Sequence, residues 1–475
     1  MKQKMSKFLT DSKPVLKKLI EELSKEFEYV SILGTDSKGK SYSVRKTAVS
    51  VGDSFSTERG FVLRVYNGLG YSEYSFDVID GENIKKEIRR IAKTDIEFLK
   101  SKNLERIKYP VIEEEALTKS FYAEVKESFD SMNDEQKIKR LESVMKKGFD
   151  YCPEMIDFQV RYEEVSVCKI FLSQKKDLEQ AYAYAISYLI PYLKKGEAVK
   201  YSFQAFSGNC GMEILHKVED NIKKSIDAVK ELLDAERIKP GVYDIICKQN
   251  VTGLIAHEAF GHGVEMDMFV KNRAKAKEFI GKKVASEITD MHDGAAAAEQ
   301  VSSYLFDDEG VLAQDTQIIE KGILKRGICD TLSALSLGIK PTGNGKRESF
   351  ERKAYTRMTN TFFSTKNSSL DEMIKSVDFG YLLDGYFSGM EDPKNWGIQC
   401  AVENGYEIKD GKLTGKIVGP IFLTGYVPEL LSSISMISGE EDFELEGSGF
   451  CGKGYKEYVR TSAGGGYIKA RGRLG

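Results

Sequence analysis

The chain has 475 residues, more than the roughly 250–300 at which one hydrophobic core stops growing, so more than one domain is expected. Lys+Arg total 70 against Asp+Glu 73, a formal charge of −3 that carries no overall basic bias toward nucleic acid. Residues 1–18 mix lysines with polar groups and lack a signal-peptide core, and no run approaches 18 uncharged apolar residues, so neither export nor membrane insertion is expected. Seven scattered cysteines, an odd number without framework spacing, suit a reducing compartment, and the expected location is the cytoplasm.

In chain order, Val15, Leu16, Leu19, Ile20, Leu23 and Phe27 recur at helical spacing and predict an opening amphipathic helix. Alternating residues from Ser41 to Phe76 predict strands, with Gly68 and Gly70 at a turn. Lys85–Lys100 and Asp134–Lys147 read as helices with narrow apolar stripes, whereas Tyr162–Leu172 and Ala181–Leu193 read as strands. Met212–Ala235 predicts one long amphipathic helix. It ends at Pro240-Gly241, where neither residue continues a helix and the strand-like Val242–Cys247 begins, so the domains are set at 1–238 and 239–475. Beyond the boundary, Lys409-Asp-Gly-Lys412 and Asn404-Gly405 predict turns between strands. The expected fold class is α+β in two domains. The first mixes helices and strands, and the second is β-rich, a large antiparallel or mixed sheet carrying the helix described next.

The second domain opens on Leu254-Ile-Ala-His-Glu-Ala-Phe-Gly-His-Gly-Val-Glu-Met-Asp267. The chain has four histidines, and two of them, His257 and His262, flank Glu258 in this stretch; His216 and His292 stand in ordinary charged surroundings. In H-E-x-x-H zinc hydrolases the histidines are four apart, about 40° around a helix, and share one metal. Here the separation is five, about 140° on a regular helix and too divergent for shared coordination. A π-type bulge absorbing one residue restores the alignment, and Gly261 eases it by lacking a Cβ. Val251, Leu254, Ile255, Ala256 and Ala259 make the helix body apolar, where two imidazoles and a carboxylate are costly to bury without a cation.

A catalytic zinc takes three protein ligands and keeps one position open. Two histidines leave one ligand unassigned, and the available donors are Glu265, Asp267 or a cysteine thiolate. Cys152, Cys168, Cys247, Cys329 and Cys400 sit among apolar or aromatic residues and read as core. Cys210 lies in a Gly-Asn-Cys-Gly turn, and Cys451 in the glycine-rich Gly447-Ser-Gly-Phe-Cys-Gly-Lys-Gly454. Glu265 and Asp267 serve alternatively as acceptors for imidazole N–H. After Cys451, Lys453, Lys456, Arg460, Lys469, Arg471 and Arg473 form the most basic run of the chain, read as a solvated tail.

These residues resemble the TldD/PmbA family, also called the modulator of DNA gyrase family, in its TldD-type metallopeptidase branch. The likeness rests on His257–Asp267, Asp307-Asp-Glu-Gly310, Ile318–Leu324, Thr342–Ser349, Arg357–Thr361 and Phe450-Cys-Gly-Lys453, with Arg45-Lys-Thr47 and Gly60–Tyr66 upstream. It spans nearly the whole chain, while Thr461–Lys469 follows the closing pattern only loosely. The resemblance implies a zinc ion held by His257, His262 and Cys451, with Glu258 as general base. It further implies hydrolysis of small or unfolded peptides and a dimer with a PmbA/TldE-type subunit or a second copy. Arg347 and Asn360, inside matched motifs, are candidates for the substrate channel. Thr342–Ser349 lacks Walker spacing and reads as a tight turn beside the cleft. The alternatives are a metal-binding, non-catalytic subunit of such a dimer and a zinc hydrolase of another amide or ester.

Overall fold

The computed structural model describes residues 1–104, 108–454 and 457–475. A nine-stranded sheet is built only from residues 30–208. Its main path runs Tyr71–Phe76, Glu58–Tyr66, Val30–Arg45, Asp157–Ser173, Lys176–Lys195, Leu117–Tyr122, antiparallel except for the last pair. Side chains alternate between its faces. Val30, Ile32, Tyr42 and Val44 point to one face, under helices Lys7–Leu23, Gly81–Ser101 and Asp134–Tyr151. Leu33, Val165, Val167 and Phe171 point to the other and pack on Val301 and Phe306 from the later half.

The later half holds two larger sheets. In the seven-stranded one, Gly241–Cys247 pairs both with Phe379–Asp392 and with Ile468–Leu474, so the path through Gly397–Lys409 and Ile421–Tyr426 closes on itself. The six-stranded sheet includes Asn360–Phe363 and Ser462–Gly465. The mixed sheet expected from the sequence is thus present as two, and the motif helix touches both.

Several expectations are revised. The opening helix starts at Lys7, capped by Ser6 accepting from the Leu9 N–H at 3.1 Å, and ends at Leu23, leaving Phe27 beyond it. The single helix over Met212–Ala235 is two, Ile214–Asp220 and Ile222–Leu232. Asn221 leaves helical geometry between them (φ −106°, ψ 7°) and donates from its side chain to the Lys217 carbonyl, a local bond that competes with the helix. Asn404-Gly405 is no turn: both residues lie inside the strand Gly397–Lys409, with Gly405 opposite Leu383. Lys409-Asp-Gly-Lys412 is the predicted hairpin, with positive φ at Asp410 (51°) and Gly411 (72°).

The basic run after Cys451 is a solvated tail only in part: Arg471 and Arg473 are exposed, whereas three other members turn inward. The half-buried Lys453 pairs with the buried Glu265 and Asp267, and the buried Arg460 pairs with Glu163. Lys469 also packs inward, its side chain 13% exposed and bonded to Ser376, while Lys456 lies outside the described residues. The charges had suggested solvent; their carboxylate and carbonyl partners come from distant segments that the local sequence does not reveal.

Candidate metal centre

Directly after the strand Gly241–Cys247 the chain makes one α-helical stretch, Gln249–Leu254, and then a π-helix, Ile255–Gly261. The backbone N–H of His262 bonds to the carbonyl of His257, five residues back, so the widened turn brings the two residues into register. Their ring centroids lie 5.0 Å apart, nearly perpendicular at 85°. Gly261 itself keeps helical angles (φ −59°, ψ −49°). It is required by packing, since a Cβ there would come 2.3 Å from the Met358 sulfur.

Cys451 reaches the same point on the short strand Phe450–Lys453, which pairs with Glu457–Arg460. The fully buried Arg357 donates to the carbonyls of both Cys451 and Glu457, holding that hairpin from below. Cys451 Sγ sits 3.6 Å from His262 Nε2, and ligand atoms of His257, His262 and Cys451 all lie within 4.8 Å of one another. Burial opposes charge on all three. Attraction between sulfur and imidazoles outweighs it: the Cys451 thiol is held well below its ordinary range and His257 and His262 are raised.

Glu265 accepts from His262 Nδ1 at 3.1 Å, while its own carboxyl is pulled down to about 2 against its burial, chiefly by Lys453 and His262. An ionised carboxylate only accepts, so Nδ1 carries a proton, and Nε2 is the ring nitrogen that faces Cys451. Lys453 bridges Glu265 (3.1 Å) and Asp267 (2.7 Å), tying the strand of Cys451 to the segment of His262. Asp267 therefore meets two lysines, Lys453 and Lys271, and Lys453 links it to Glu265, which in turn meets His262. Two imidazoles and one thiolate, those of His257 and Cys451 buried and that of His262 half-buried, make up a donor set of the kind zinc prefers.

Glu258 Oε2 lies 3.9 Å from His262 Nε2. Its aliphatic stem rests on Gly389 of the strand Phe379–Asp392, where a Cβ would come 2.3 Å from Glu258 Cγ. Two residues on, Glu391 accepts from the Gly263 N–H at 2.8 Å. One strand thus touches both Glu258 and the turn that follows His262.

These groups border a cleft of about 850 Å³. Tyr386–Glu391 and Ser448–Gly454 line it, together with Tyr188 and Phe203 of the first half and Met268, Lys271 and Arg273 of the second. Arg347 and Asn360 do not line it. Arg347 is paired with Glu73 at 2.5 Å and borders a separate cavity of about 100 Å³ with Lys169, Asp308 and Lys346, so the Thr342–Ser349 turn lies beside that smaller space. Asn360 is fully buried, donating to the Ala298 carbonyl (2.8 Å) and Ser303 Oγ (3.0 Å). Sequence reasoning missed Lys453, Gly389, Glu391 and Arg357. Lys453 had a signal, its place in the Cys-Gly-Lys motif; Gly389 and Glu391 had none, because their partners lie about 130 positions away.

Two imidazoles and a thiol close enough to share a metal ion, beside a carboxylate and on a mixed α/β fold of several sheets, point to the metal-binding class of protein. The description "PmbA/TldA metallopeptidase C-terminal domain" matches residues 240–472. A Buchnera aphidicola protein named as a metalloprotease TldD homolog is 31% identical over 300 residues, 62% of this chain and 61% of that protein. This chain thus spans about three fifths of the length of the first curated relatives it matches. A Methanocaldococcus jannaschii metalloprotease is 30% identical over 315 residues, 65% of this chain and 68% of its own. Among solved structures, a candidate modulator of a DNA gyrase from Thermotoga maritima superposes with a TM-score of 0.77 at 16% identity, covering 98% of this chain and 100% of its own. TldE from Thermococcus kodakarensis gives 0.70 at 20% identity, covering 97% and 99%. The chain belongs to the TldD/PmbA family.

Proposed function

We propose that this protein is a zinc-dependent metallopeptidase of TldD type that hydrolyses peptide bonds in small or unfolded polypeptides. The observation that carries the reading is the meeting of His257, His262 and Cys451 within 4.8 Å, with Glu258 Oε2 3.9 Å from His262 Nε2. In this reading His257, His262 and Cys451 hold the ion, Glu265 fixes the tautomer of His262, and Glu258 is the general base. When bound, zinc supplies Lewis acidity and makes water acidic enough to act near neutral pH. Glu258 takes a proton from water at a carboxylate oxygen and delivers it to the departing amine.

The cleft supports an extended peptide as substrate. Gly241–Cys247 pairs with the strand Phe379–Asp392 only as far as Leu383, so among the described residues the edge at 386–391 has a sheet neighbour on one side only. A peptide laid there gains main-chain hydrogen bonds that need no particular side chains. The TldE neighbour, alike over almost its whole length, supports a dimer with a PmbA/TldE-type subunit or a second copy. The confinement of the first sheet to residues 30–208 and of the others to 241–474 supports domains of 1–238 and 239–475. All seven cysteines are unpaired, which supports the cytoplasm as its setting.

The test is metal analysis of the purified protein together with mass spectrometry of an unstructured peptide pool, with and without chelator. The expected result is one zinc per chain and chelator-sensitive cleavage, abolished in Glu258→Gln with zinc retained. Zinc without cleavage would make the protein a metal-binding subunit, and cleavage confined to other amides or esters would make it a different hydrolase.

A further inference from the structure

Three aromatic rings that line the cleft touch in series. Tyr386 and Phe203 meet edge to face, centroids 6.3 Å apart at 84°, and Phe203 meets Tyr188 at 6.3 Å and 62°. All three line the cleft and all are only partly buried, so their packing leaves apolar ring surface toward it. The set is fixed at one end: the Tyr188 hydroxyl donates to the Ser448 carbonyl at 2.8 Å, three residues before Cys451. Tyr188 and Phe203 come from the first half of the chain and Tyr386 from the strand that supports Glu258 through Gly389. Along that strand Tyr386 stands three residues from Gly389, across a register shift between Tyr386 and Ser388, and so at most about 11 Å away.

We infer that Tyr188, Phe203 and Tyr386 form a subsite for a bulky apolar side chain of the substrate, within about three residues of the bond cut. The inference rests on the peptidase reading and deepens it. Main-chain pairing along residues 386–391 aligns any peptide, whereas the three rings discriminate, because burying a large apolar side chain against ring faces removes its surface from water. The first half of the chain thereby contributes to selectivity without touching the metal ligands.

The test uses an otherwise Ser/Gly/Ala peptide in which one Phe is moved stepwise past the cleaved bond, compared with the all-small parent. Phe at one position is expected to raise kcat/KM on the order of 10- to 100-fold. Phe203→Ala is expected to reduce that ratio by about tenfold and Phe203→Leu, which keeps apolar surface, to restore most of it. A ratio near one at every position in the wild-type protein overturns the inference whether or not the variants fold, as does a Phe203→Ala effect equal on all peptides. Equilibrium binding of the same peptides to Glu258→Gln, read by fluorescence anisotropy, separates the two readings. A Phe preference in binding with no turnover by the wild type removes the peptidase reading and leaves the subsite; turnover without preference does the reverse.

Discussion

His262 donates its backbone N–H to the carbonyl of His257, five residues earlier, and this π-type hydrogen bond places the two imidazoles 5.0 Å apart on one side of the helix. A regular helix would have turned them apart by about 140°. The distortion is enclosed by packing, with Met358 against Gly261 and buried Ala256 and Ala259 on the same helix, so the rest of the core maintains it.

Cys451→Ala removes the proposed zinc donor that comes from the far end of the chain. Zinc content should fall from one per chain to a small fraction, with the fold kept because Arg357 still holds the hairpin backbone. Elemental analysis after dialysis checks this, and full zinc retention would exclude the thiolate as a ligand.

Lys453→Met leaves Glu265 and Asp267 buried without their shared cation. Removing one partner of a buried pair costs about 3–5 kcal/mol, and disturbing the carboxylate behind a ligand histidine weakens metal binding by about 10- to 100-fold. Urea unfolding and competition against a zinc chelator read the two effects. A variant as stable as the wild type would show that the bridge contributes nothing measurable to the fold.

Gly389→Ala inserts a methyl group 2.3 Å from Glu258 Cγ, and the carboxylate has to move. Since displacement of about 1 Å can cost on the order of 100-fold, peptide turnover should fall by about 10- to 100-fold while zinc stays bound. Unchanged kcat would mean that Glu258 does not need this support.

Glu58 borders the smaller cavity and accepts the Phe350 N–H at 2.7 Å. Burial lifts its carboxyl to about 7, with Lys169 only partly opposing. Between the ordinary carboxylate value near 4.5 and this raised one, the unfolded chain releases the proton and the folded one keeps it. Stability from this group is therefore complete below about pH 4.5 and is lost as pH rises through 7. Glu58→Gln keeps an acceptor and lacks this loss, so its advantage over the wild type should grow from nothing near pH 4.5 to about 1–3 kcal/mol above pH 7. Unfolding curves at pH 4.5, 6 and 8 decide it; a difference flat with pH would sink the assignment.

The sequence by itself determined what is local and periodic. The H-E-x-x-x-H spacing pointed to a π-turn, since a regular helix would splay the two histidines, and the patterning of Tyr162–Leu172 and Ala181–Leu193 pointed to strands; both are present. Only the tertiary structure decided what depends on distant chain segments meeting. It brought Cys451 to the imidazoles, turned Lys453 and Arg460 inward to carboxylates, and set Gly389 beneath Glu258. It also kept Arg347 and Asn360 away from the cleft, in ion pairs and hydrogen bonds with Glu73 and Ala298. A charge or glycine has the same local appearance whether it faces solvent or a partner, and its role is set by the group folded against it.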